Sequence, residues 1–294
     1  MGVPLRVALS VISFFAIYES KKRMPLLSLT QKISVENCIF VSLKKYPLVA
    51  ASSLFKTLLI IPFYNEEARI DRQALAQNFK EFSQLDFLLI DDGSQDQTPQ
   101  ILQSFAQDHK NVSVRKNDNN LGKAESLRQG VLTAEIKNYD YIGYLDADLA
   151  TPISEIVRLL NYAEKNTDKK LIMGTRIKLL GNRVKRSLVR HYFGRIFATI
   201  ISQFVLKIPV YDTQCGAKII QAPLAQEIFK TPFYTKWLFD VELLLRMRKQ
   251  SIDLTQNVVE IPLFEWTEMG DSKIRWYEFL SVPFQIIKLY AKYS

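Results

Sequence analysis

The pattern of apolar and polar positions changes character at Thr57. From there short apolar runs alternate with polar turns and helical patterns, which is the organisation of a β-α-β protein with a largely parallel sheet. Thr-Pro pairs at 98–99 and 151–152 predict helix starts, because Thr caps a first turn and Pro lacks the amide hydrogen that would go unsatisfied there. The predicted strands are residues 58–63, 87–90, 112–116, 141–145 and 171–174, and the predicted helices end near 108, 134 and 165.

The second half of the chain has a different pattern. Residues 183–206 predict one long amphipathic helix whose apolar residues, from Leu188 to Val205, recur in pairs every four positions. Core packing and a membrane interface both explain such a stripe, and the basic residues before it favour the interface. Further predicted elements are a strand at 218–220, a helix at 237–248, a strand at 258–266 and an aromatic C-terminal helix.

Polar clusters follow four of the predicted strands, at residues 65–67, 91–92, 146–148 and 175–176. The carboxyl ends of parallel strands open onto one edge of a sheet, so these clusters should converge in the usual ligand crevice. Asp146 and Asp148 would repel each other without a cation between them, and Mg²⁺ or Mn²⁺ prefers such oxygen ligands. This edge therefore predicts a metal and nucleotide diphosphate site, with Lys123 or Arg176 offsetting phosphate charge.

Charge is distributed unevenly along these 294 residues. The net charge is +9, yet residues 169–207 alone contain ten Lys or Arg and no Asp or Glu. Guanidinium groups match phosphate oxygens, so this segment favours an anionic acceptor, although each single Arg also fits a solvated basic face. Nucleic acid is not an expected partner, because the apolar stripes do not suit it. The arginines predicted to contact an acceptor phosphate are Arg183, Arg186, Arg190 and Arg195.

The N-terminal extension and the cysteines bear on location. Cys38 and Cys215 are too few for a disulfide framework, which favours a reducing, cytosolic setting. Residues 7–18 are apolar and are followed by the basic residues 21–23, so a signal-peptide core, a short membrane anchor and a buried helix all stay open. Secretion is the least favoured, since the basic residues follow the apolar run and no cleavage pattern is evident.

Eight segments in order carry a resemblance to a known family: IPFYNEEARI, LLIDDGSQDQT, NLGKAESLRQG, YLDADLATP, GTR, DTQCGAK, WLFDVELL and EWTEMGDSKI. Over residues 57–275 the chain resembles the family 2 glycosyltransferases of GT-A fold, most closely the dolichyl-phosphate β-glucosyltransferase branch. The resemblance implies an α/β fold with a Rossmann-like, mostly parallel sheet flanked by helices. We expect an N-terminal extension at 1–56, a GT-A domain at 57–273 with nucleotide-binding (57–150) and acceptor (151–273) halves, and a C-terminal amphipathic segment at 274–294.

The resemblance also implies roles for individual residues. Asp146 and Asp148 would hold the metal on the diphosphate. Related mannosyl-transferring enzymes have Gln where this chain has Ala150, so the remaining metal ligands stay open. The residues expected to bind the nucleotide are Pro62, Tyr64, Glu66, Asp91, Asp92, Lys123 and Asp146.

The implied activity is transfer of glucose, with inversion, from UDP-glucose to a polyprenyl (dolichyl-type) phosphate at the cytosolic face of a membrane. A different nucleotide sugar, such as GDP-mannose or UDP-GlcNAc, a hydroxyl acceptor, and a non-catalytic binding module are the alternatives. We expect Asp148, Asp240 and Arg176 to act in catalysis, with Asp240 serving as a base, positioning the acceptor or binding the sugar. Gln214, Lys218 and Lys273 are expected in a donor-sugar or acceptor loop.

Overall fold

A computed structural model describes the chain at residues 55–185, 188–268 and 282–293. The apolar stretch at 7–18, Arg186 and Lys273 lie outside these residues, as does the side chain of Arg190. Within the described residues, no helix combines the length and apolar character needed to cross a bilayer.

The predicted parallel sheet is present and has seven strands in the order β3-β2-β1-β4-β7-β5-β8. All strands run parallel except β7, which is antiparallel to both β4 and β5. Residues of β1 are almost all buried, because helices cover both faces of the sheet. The strands are β1 (Thr57–Phe63), β2 (Leu85–Asp91), β3 (Val112–Lys116), β4 (Tyr141–Tyr144), β5 (Leu171–Thr175), β7 (Lys218–Gln221) and β8 (Val258–Pro262).

Helices alternate with these strands as the sequence pattern predicts. Two starts differ from the prediction: one helix begins at Thr98 itself, after Gln97, and another at Ile153, after Pro152. Thr98 is thus free to use its hydroxyl elsewhere. The helices are α1 (Arg72–Glu81), α2 (Thr98–Asp108), α3 (Lys123–Thr133), α4 (Ile153–Lys165), α5 (Leu188–Ile200), α6 (Ala222–Ile228), α7 (Phe239–Lys249), α8 (Leu254–Asn257) and α9 (Val282–Tyr293), with a 3₁₀ turn at Ile136–Asn138.

The single helix predicted for residues 183–206 is wrong at both ends. Its first residues form a short strand, β6 (Arg183–Lys185), which pairs in parallel with β9 (Glu265–Thr267). After α5 the chain continues as a π-helical segment, Ile201–Leu206, which ends at Lys207 in a left-handed conformation. The predicted strand at 258–266 is likewise divided between β8 and β9, because residues 263–264 turn the chain from one sheet to the other.

Part of the apolar stripe, for which we favoured a membrane interface over core packing, packs in the core. Ile201 and Val205 are buried in the cluster beneath α7, and the ring of Phe197 packs edge-on against Trp237 at 5.7 Å. The C-terminal helix α9 is similar, with Ile286 buried against the same cluster. These residues therefore belong to the protein core, because they have protein partners. The side chains at 188–193 lie outside the described residues, and Phe204 and Phe284 remain exposed.

Candidate active site

Two loops at the carboxyl edge of the sheet are joined into one unit. The hydroxyl of Thr98 accepts a hydrogen bond from the amide of Glu66 at 2.9 Å, across the gap between the β1 and β2 loops. The amide of Asn65 donates to the hydroxyl of Ser94 at 3.0 Å, and the side-chain oxygen of Asn65 accepts from the amide of Gln95 at 2.9 Å. The first two predicted clusters thus converge, as the parallel sheet requires.

Asp91 is a fully buried carboxylate at the end of β2. Its Oδ1 accepts from the amide of Ser94 at 3.0 Å, while Oδ2 has no hydrogen-bond partner among the described residues. A buried, unsatisfied carboxylate oxygen favours a donor from a ligand, such as a ring N–H of a nucleobase. Asp91 borders a cavity of about 250 Å³, whose other lining residues are Pro99, Gln100, Gln103, Val114 and Lys116.

Asp92, also expected to bind the nucleotide, uses its carboxylate within the protein. Its oxygens accept hydrogen bonds from the amides of Leu121 and Gly122 at 2.9 and 2.8 Å, and from the side-chain amide of Asn117 at 3.0 Å. Gly122 has φ +84°, a conformation that glycine adopts without steric cost. Asp92 therefore fixes the loop that precedes α3 and so positions Lys123, the first residue of that helix.

Lys123 and Asp146 form the central ion pair of this edge. Nζ of Lys123 lies 2.5 Å from Oδ1 of Asp146. Burial opposes the charge on Lys123, but Asp146 and Asp240 outweigh it, so the pKa of Lys123 is raised. Burial likewise works against the Asp146 carboxylate, yet Lys123, with Arg176 and Lys218, holds the pKa of Asp146 below its usual value. Both groups are charged at neutral pH.

The carboxylate of Asp146 rests against the backbone of Gly216. A Cβ atom on Gly216 would lie 2.0 Å from Oδ2 of Asp146, which no side chain could occupy without displacing the carboxylate. Gly216 is part of the DTQCGAK segment just before β7, and the antiparallel pairing of β7 with β4 brings the two segments together. Only glycine fits this close approach.

Asp148 occupies a tight turn that begins at Asp146. The amide of Leu149, which has φ +48°, donates to the carbonyl of Asp146 at 3.1 Å, and the amide of Ala150 donates to Oδ1 of Asp148 at 3.0 Å. Arg69 approaches Oδ2 of Asp148 at 3.6 Å. Burial, together with the neighbouring charge of Asp146, raises the pKa of Asp148 above its usual value.

Arg176, expected in catalysis, is bound to Asp212. Nε and Nη2 of Arg176 donate to the two carboxylate oxygens of Asp212 at 2.7 and 2.8 Å, and the Arg176 amide donates to the same carboxylate at 3.1 Å. Asp212 raises the pKa of Arg176 despite its burial. The guanidinium also lies over the Trp266 ring at 5.6 Å. Glu260 fixes this loop by accepting the amides of Tyr211 and Asp212, both at 2.7 Å.

The carboxylate of Asp240 accepts hydrogen bonds from two buried side chains. Nζ of Lys218 lies 2.7 Å from Oδ1 of Asp240, and the hydroxyl of Tyr144 donates to the same oxygen at 2.6 Å. Lys218 has no solvent exposure and also donates to the carbonyl of Cys215. Burial, followed by the charge of Asp240, raises the pKa of Tyr144 well above its usual value. Lys218 thus contacts Asp240 rather than an open loop.

Comparison with known proteins identifies the chain. The pattern that defines glycosyl transferase family 2 matches residues 58–229. The chain belongs to this family. It is 31% identical over 231 residues to the dolichyl-phosphate beta-glucosyltransferase of Dictyostelium discoideum, covering 74% of this chain and 68% of the relative. The corresponding protein of Saccharomyces cerevisiae is 29% identical, with the same two coverages.

Solved structures support the same fold. Glucosyl-3-phosphoglycerate synthase from Mycobacterium tuberculosis in complex with UDP superposes with a TM-score of 0.60 at 17% identity, covering 83% of this chain and 81% of that one. A complex of the same synthase with Mn²⁺, UDP and glucosyl-3-phosphoglycerate has a TM-score of 0.56 at 17% identity, covering 82% and 80%. This glycosyltransferase therefore has the predicted GT-A architecture.

The acidic pair of the glycosyltransferase fits a divalent metal whose remaining ligands come from substrate. Oδ1 of Asp148 accepts the Ala150 amide and Oδ2 lies 3.6 Å from Arg69, while Gly216 leaves room for the Asp146 carboxylate. Ala150 is buried and offers no ligand, and within residues 55–185, 188–268 and 282–293 no group of three or more His, Cys, Asp or Glu side chains could hold a metal ion. Two carboxylates completed by phosphate oxygens and water are usual for Mg²⁺.

Several expected site residues lie at the margins of this arrangement. Pro62 and Tyr64 are half-buried at the end of β1. Arg183 and Arg195 are exposed on β6 and α5. Nε2 of Gln214 is buried without a hydrogen-bond partner among the described residues. Sequence reasoning missed Tyr144, Arg69, Glu260 and Gly216. The first two and Gly216 lie inside segments of the family resemblance, which was the available signal, whereas Glu260 lies outside them.

Proposed function

We propose that this glycosyltransferase transfers glucose from UDP-glucose to a dolichyl-type polyprenyl phosphate, with inversion at the sugar carbon. The observation that carries the proposal is the Asp146 and Asp148 pair beside Lys123, in a chain whose relatives are named dolichyl-phosphate beta-glucosyltransferases. Inverting transfer needs a nucleotide pocket, charge stabilisation of the leaving diphosphate and an aligned nucleophile. Each has candidate residues.

The uridine would occupy the crevice beside Asp91. The unsatisfied Oδ2 of Asp91 would accept an N–H of the base, and Pro62, Tyr64 and Glu66 on the β1 loop would complete the pocket. The diphosphate would lie toward the amino end of α3, where the helix dipole and the Lys123 ammonium both favour negative charge. Asp92 would act indirectly, by fixing the loop that positions Lys123.

A Mg²⁺ or Mn²⁺ ion would be held by Asp146 and Asp148. When bound, the metal supplies positive charge that offsets the charge developing on the leaving UDP. The Asp146 carboxylate is bound by Lys123 in space that Gly216 leaves open, and the Asp148 carboxylate accepts the Ala150 amide, so both ligands are oriented before substrate arrives. The Mn²⁺ complexes of the synthase from Mycobacterium tuberculosis support a divalent ion in this fold.

The acceptor would be deprotonated before it reacts. The second pKa of a phosphate monoester is about 6, so its oxygen is already anionic at neutral pH and no strong base is needed. The Lys218 and Tyr144 contacts of Asp240 support a positioning role for that carboxylate. Arg176, whose guanidinium is held by its two hydrogen bonds to Asp212, would help to position the acceptor. The arginines at 183, 186, 190 and 195 are the proposed contacts of the acceptor phosphate.

The location follows from the acceptor. A polyprenyl phosphate resides in a bilayer and UDP-glucose is a soluble cytosolic donor, so the glycosyltransferase would act at the cytosolic face of a membrane. Two named relatives whose acceptor is a dolichyl phosphate support this placement.

The test is transfer in detergent from a panel of nucleotide sugars to a short polyprenyl phosphate, with and without Mn²⁺ or Mg²⁺. We expect a glucolipid from UDP-glucose, abolished by a chelator and restored by one of the two ions. Asp148→Asn should lose at least about a hundredfold of turnover, since one metal ligand is removed. A glycolipid from GDP-mannose or UDP-GlcNAc alone would overturn the sugar assignment, and transfer in the presence of chelator would overturn the metal.

A further inference from the structure

An exposed apolar tip projects from the second, two-stranded sheet. Leu180 is 102% exposed, which means that it contacts essentially nothing in the protein, and Leu179 and Phe264 are each 42% exposed. We call these three residues the apolar tip. Leu179 and Leu180 lie in the turn before β6, where Gly181 has φ +94° in open space. Clustered exposed apolar side chains mark interaction surfaces, unlike scattered single ones.

The base of the apolar tip is rigidly fixed. The side-chain amide of Asn182 donates to the carbonyl of Leu263 at 2.8 Å, and the amide of Arg183 donates to the carbonyl of Phe264 at 2.7 Å. From α4, the buried carboxylate of Glu155 accepts the amides of Phe264 and Glu265, both at 2.9 Å. These hydrogen bonds fix the backbone at 182–183 and 263–265, from which the exposed Leu179 and Leu180 extend.

The charge around the apolar tip selects the chemistry of what it contacts. Lys178, Arg183 and Lys185 are exposed beside it, and the segment from 169 to 207 contains no acidic residue. Glu265, opposite Arg183 in the paired strand, is a half-buried acidic neighbour. Apolar side chains surrounded by lysine and arginine suit an anionic lipid surface, where the leucines enter the acyl boundary and the cations remain among the headgroups.

The apolar tip is also directly connected to the active site. Arg176 precedes Leu180 by four residues, so the two lie at most about 14 Å apart along the chain. At the other strand of the small sheet, the amide of Thr267 donates to the carbonyl of Ala150 at 2.9 Å, next to the metal-binding turn. A lipid whose phosphate reaches Arg176 would therefore have its chain beside the tip.

We propose that the apolar tip inserts into an anionic bilayer. It would thereby hold the side of the active site that carries Arg176 against the membrane. The inference rests on the proposed function, because a bilayer is where a polyprenyl phosphate is found. It adds the element that makes the contact, which is the Leu179–Leu180 turn together with Phe264.

The test places a polarity-sensitive dye on the tip of the full-length protein. Leu180→Cys in a Cys38→Ser background gives one accessible thiol, since Cys215 is buried. With vesicles of phosphatidylcholine and roughly one-third phosphatidylserine, we expect a blue shift at position 180. The matched control is Leu132→Cys, also exposed at 40%, at the far end of α3 and roughly 13 Å along that helix from Lys123. Its dye should not shift.

Two further measurements separate this inference from the proposed function. Leu180→Ser should weaken vesicle binding roughly tenfold, because one inserted leucine is lost, while transfer in detergent to a short polyprenyl phosphate stays unchanged. An unmoved dye at position 180 on vesicle-bound protein would overturn the inference, because the tip would then stay outside the bilayer. An equal shift at position 132 would also overturn it, as nonspecific adsorption. Absence of any transfer in detergent would count against the function alone, since the dye reports contact without turnover.

Discussion

Nζ of Lys123 and Oδ1 of Asp146 lie 2.5 Å apart, so the first carboxylate of the acidic pair is already neutralised by a cation of the protein itself. A divalent metal at Asp146 and Asp148 would share that carboxylate with Lys123. On the proposed function, the ammonium would compete with the metal in the free enzyme and would become a phosphate ligand when the donor arrives, because the diphosphate brings new negative charge to the same edge.

Lys123→Gln should therefore have opposite effects on metal and on donor. Without nucleotide, Mn²⁺ should bind about tenfold more tightly, since Asp146 loses its competing cation, whereas UDP-glucose turnover should fall at least about tenfold. Mn²⁺ binding by electron paramagnetic resonance and transfer in detergent measure the two effects. The control Lys137→Gln, an exposed lysine on the 3₁₀ turn, should change neither. Weaker Mn²⁺ binding by Lys123→Gln would contradict the competition.

Gly216→Ala tests whether the Asp146 carboxylate must lie against the backbone. The added Cβ would sit 2.0 Å from Oδ2 and 2.5 Å from Cγ of Asp146, so the side chain must rotate away. We expect roughly tenfold weaker Mn²⁺ binding and a matching loss of turnover, with the melting temperature lowered by only a few degrees.

A double-mutant cycle controls for general disruption near Gly216. In an Asp146→Asn background, Gly216→Ala should cost little further Mn²⁺ affinity, because the displaced ligand is already absent. Additive losses in the two backgrounds would mean that Gly216 acts through something other than Asp146.

The cluster of acidic residues at the carboxyl edge of the sheet could be predicted from the sequence, because it depends on local patterns. Asp91 and Asp146 follow apolar runs that are recognisable as buried strands, and parallel strands necessarily bring their ends together. The reversed direction of β7 could not be predicted, since a run as short as residues 218–220 is equally compatible with either direction. That reversal is what places Gly216 against Asp146.

Lys218 illustrates the same limit for a single side chain. A lysine in a polar segment indicates a ligand contact. Nothing local reveals that its partner is Asp240, which lies 22 residues later in the chain. The same carboxylate also accepts the hydroxyl of Tyr144, 96 residues before it. The start of the predicted helix at Arg183 failed for a related reason. Pairing of β6 with β9, about eighty residues later in the chain, overrides the local helical pattern.

Cys215 should be chemically inert in the folded enzyme. Burial raises the pKa of its thiol to about 11, so almost no reactive thiolate exists near pH 8. In a Cys38→Ser background, iodoacetamide at pH 8 should leave the native protein unmodified and label one thiol in urea, as read by intact mass. Because the folded state favours the neutral thiol, its contribution to stability is fully present below pH 8.5 or so and is lost as the pH rises toward 11. Rapid labelling of native protein would show that the DTQCGAK loop opens.

The buried ion pair of Lys218 and Asp240 should contribute to the stability of the fold only while both partners are present. Removing one partner leaves the other charge buried without compensation, so Lys218→Met and Asp240→Asn should each lower the free energy of unfolding by roughly 3 kcal/mol. The double variant should recover part of that loss, because neither charge then remains in the core. Urea unfolding measures all three, and Asp108→Asn, an exposed aspartate at the end of α2, serves as the control with no expected change.

The same variants separate a structural role of Asp240 from a role as base. If Asp240 has only a structural role, turnover of Asp240→Asn per folded molecule should fall less than about a hundredfold. The double variant, Lys218→Met with Asp240→Asn, should then regain activity together with stability. A base would behave differently, since restoring the core cannot restore a proton acceptor. Recovery of stability without any recovery of turnover in the double variant would therefore identify Asp240 as the base and argue for a hydroxyl acceptor.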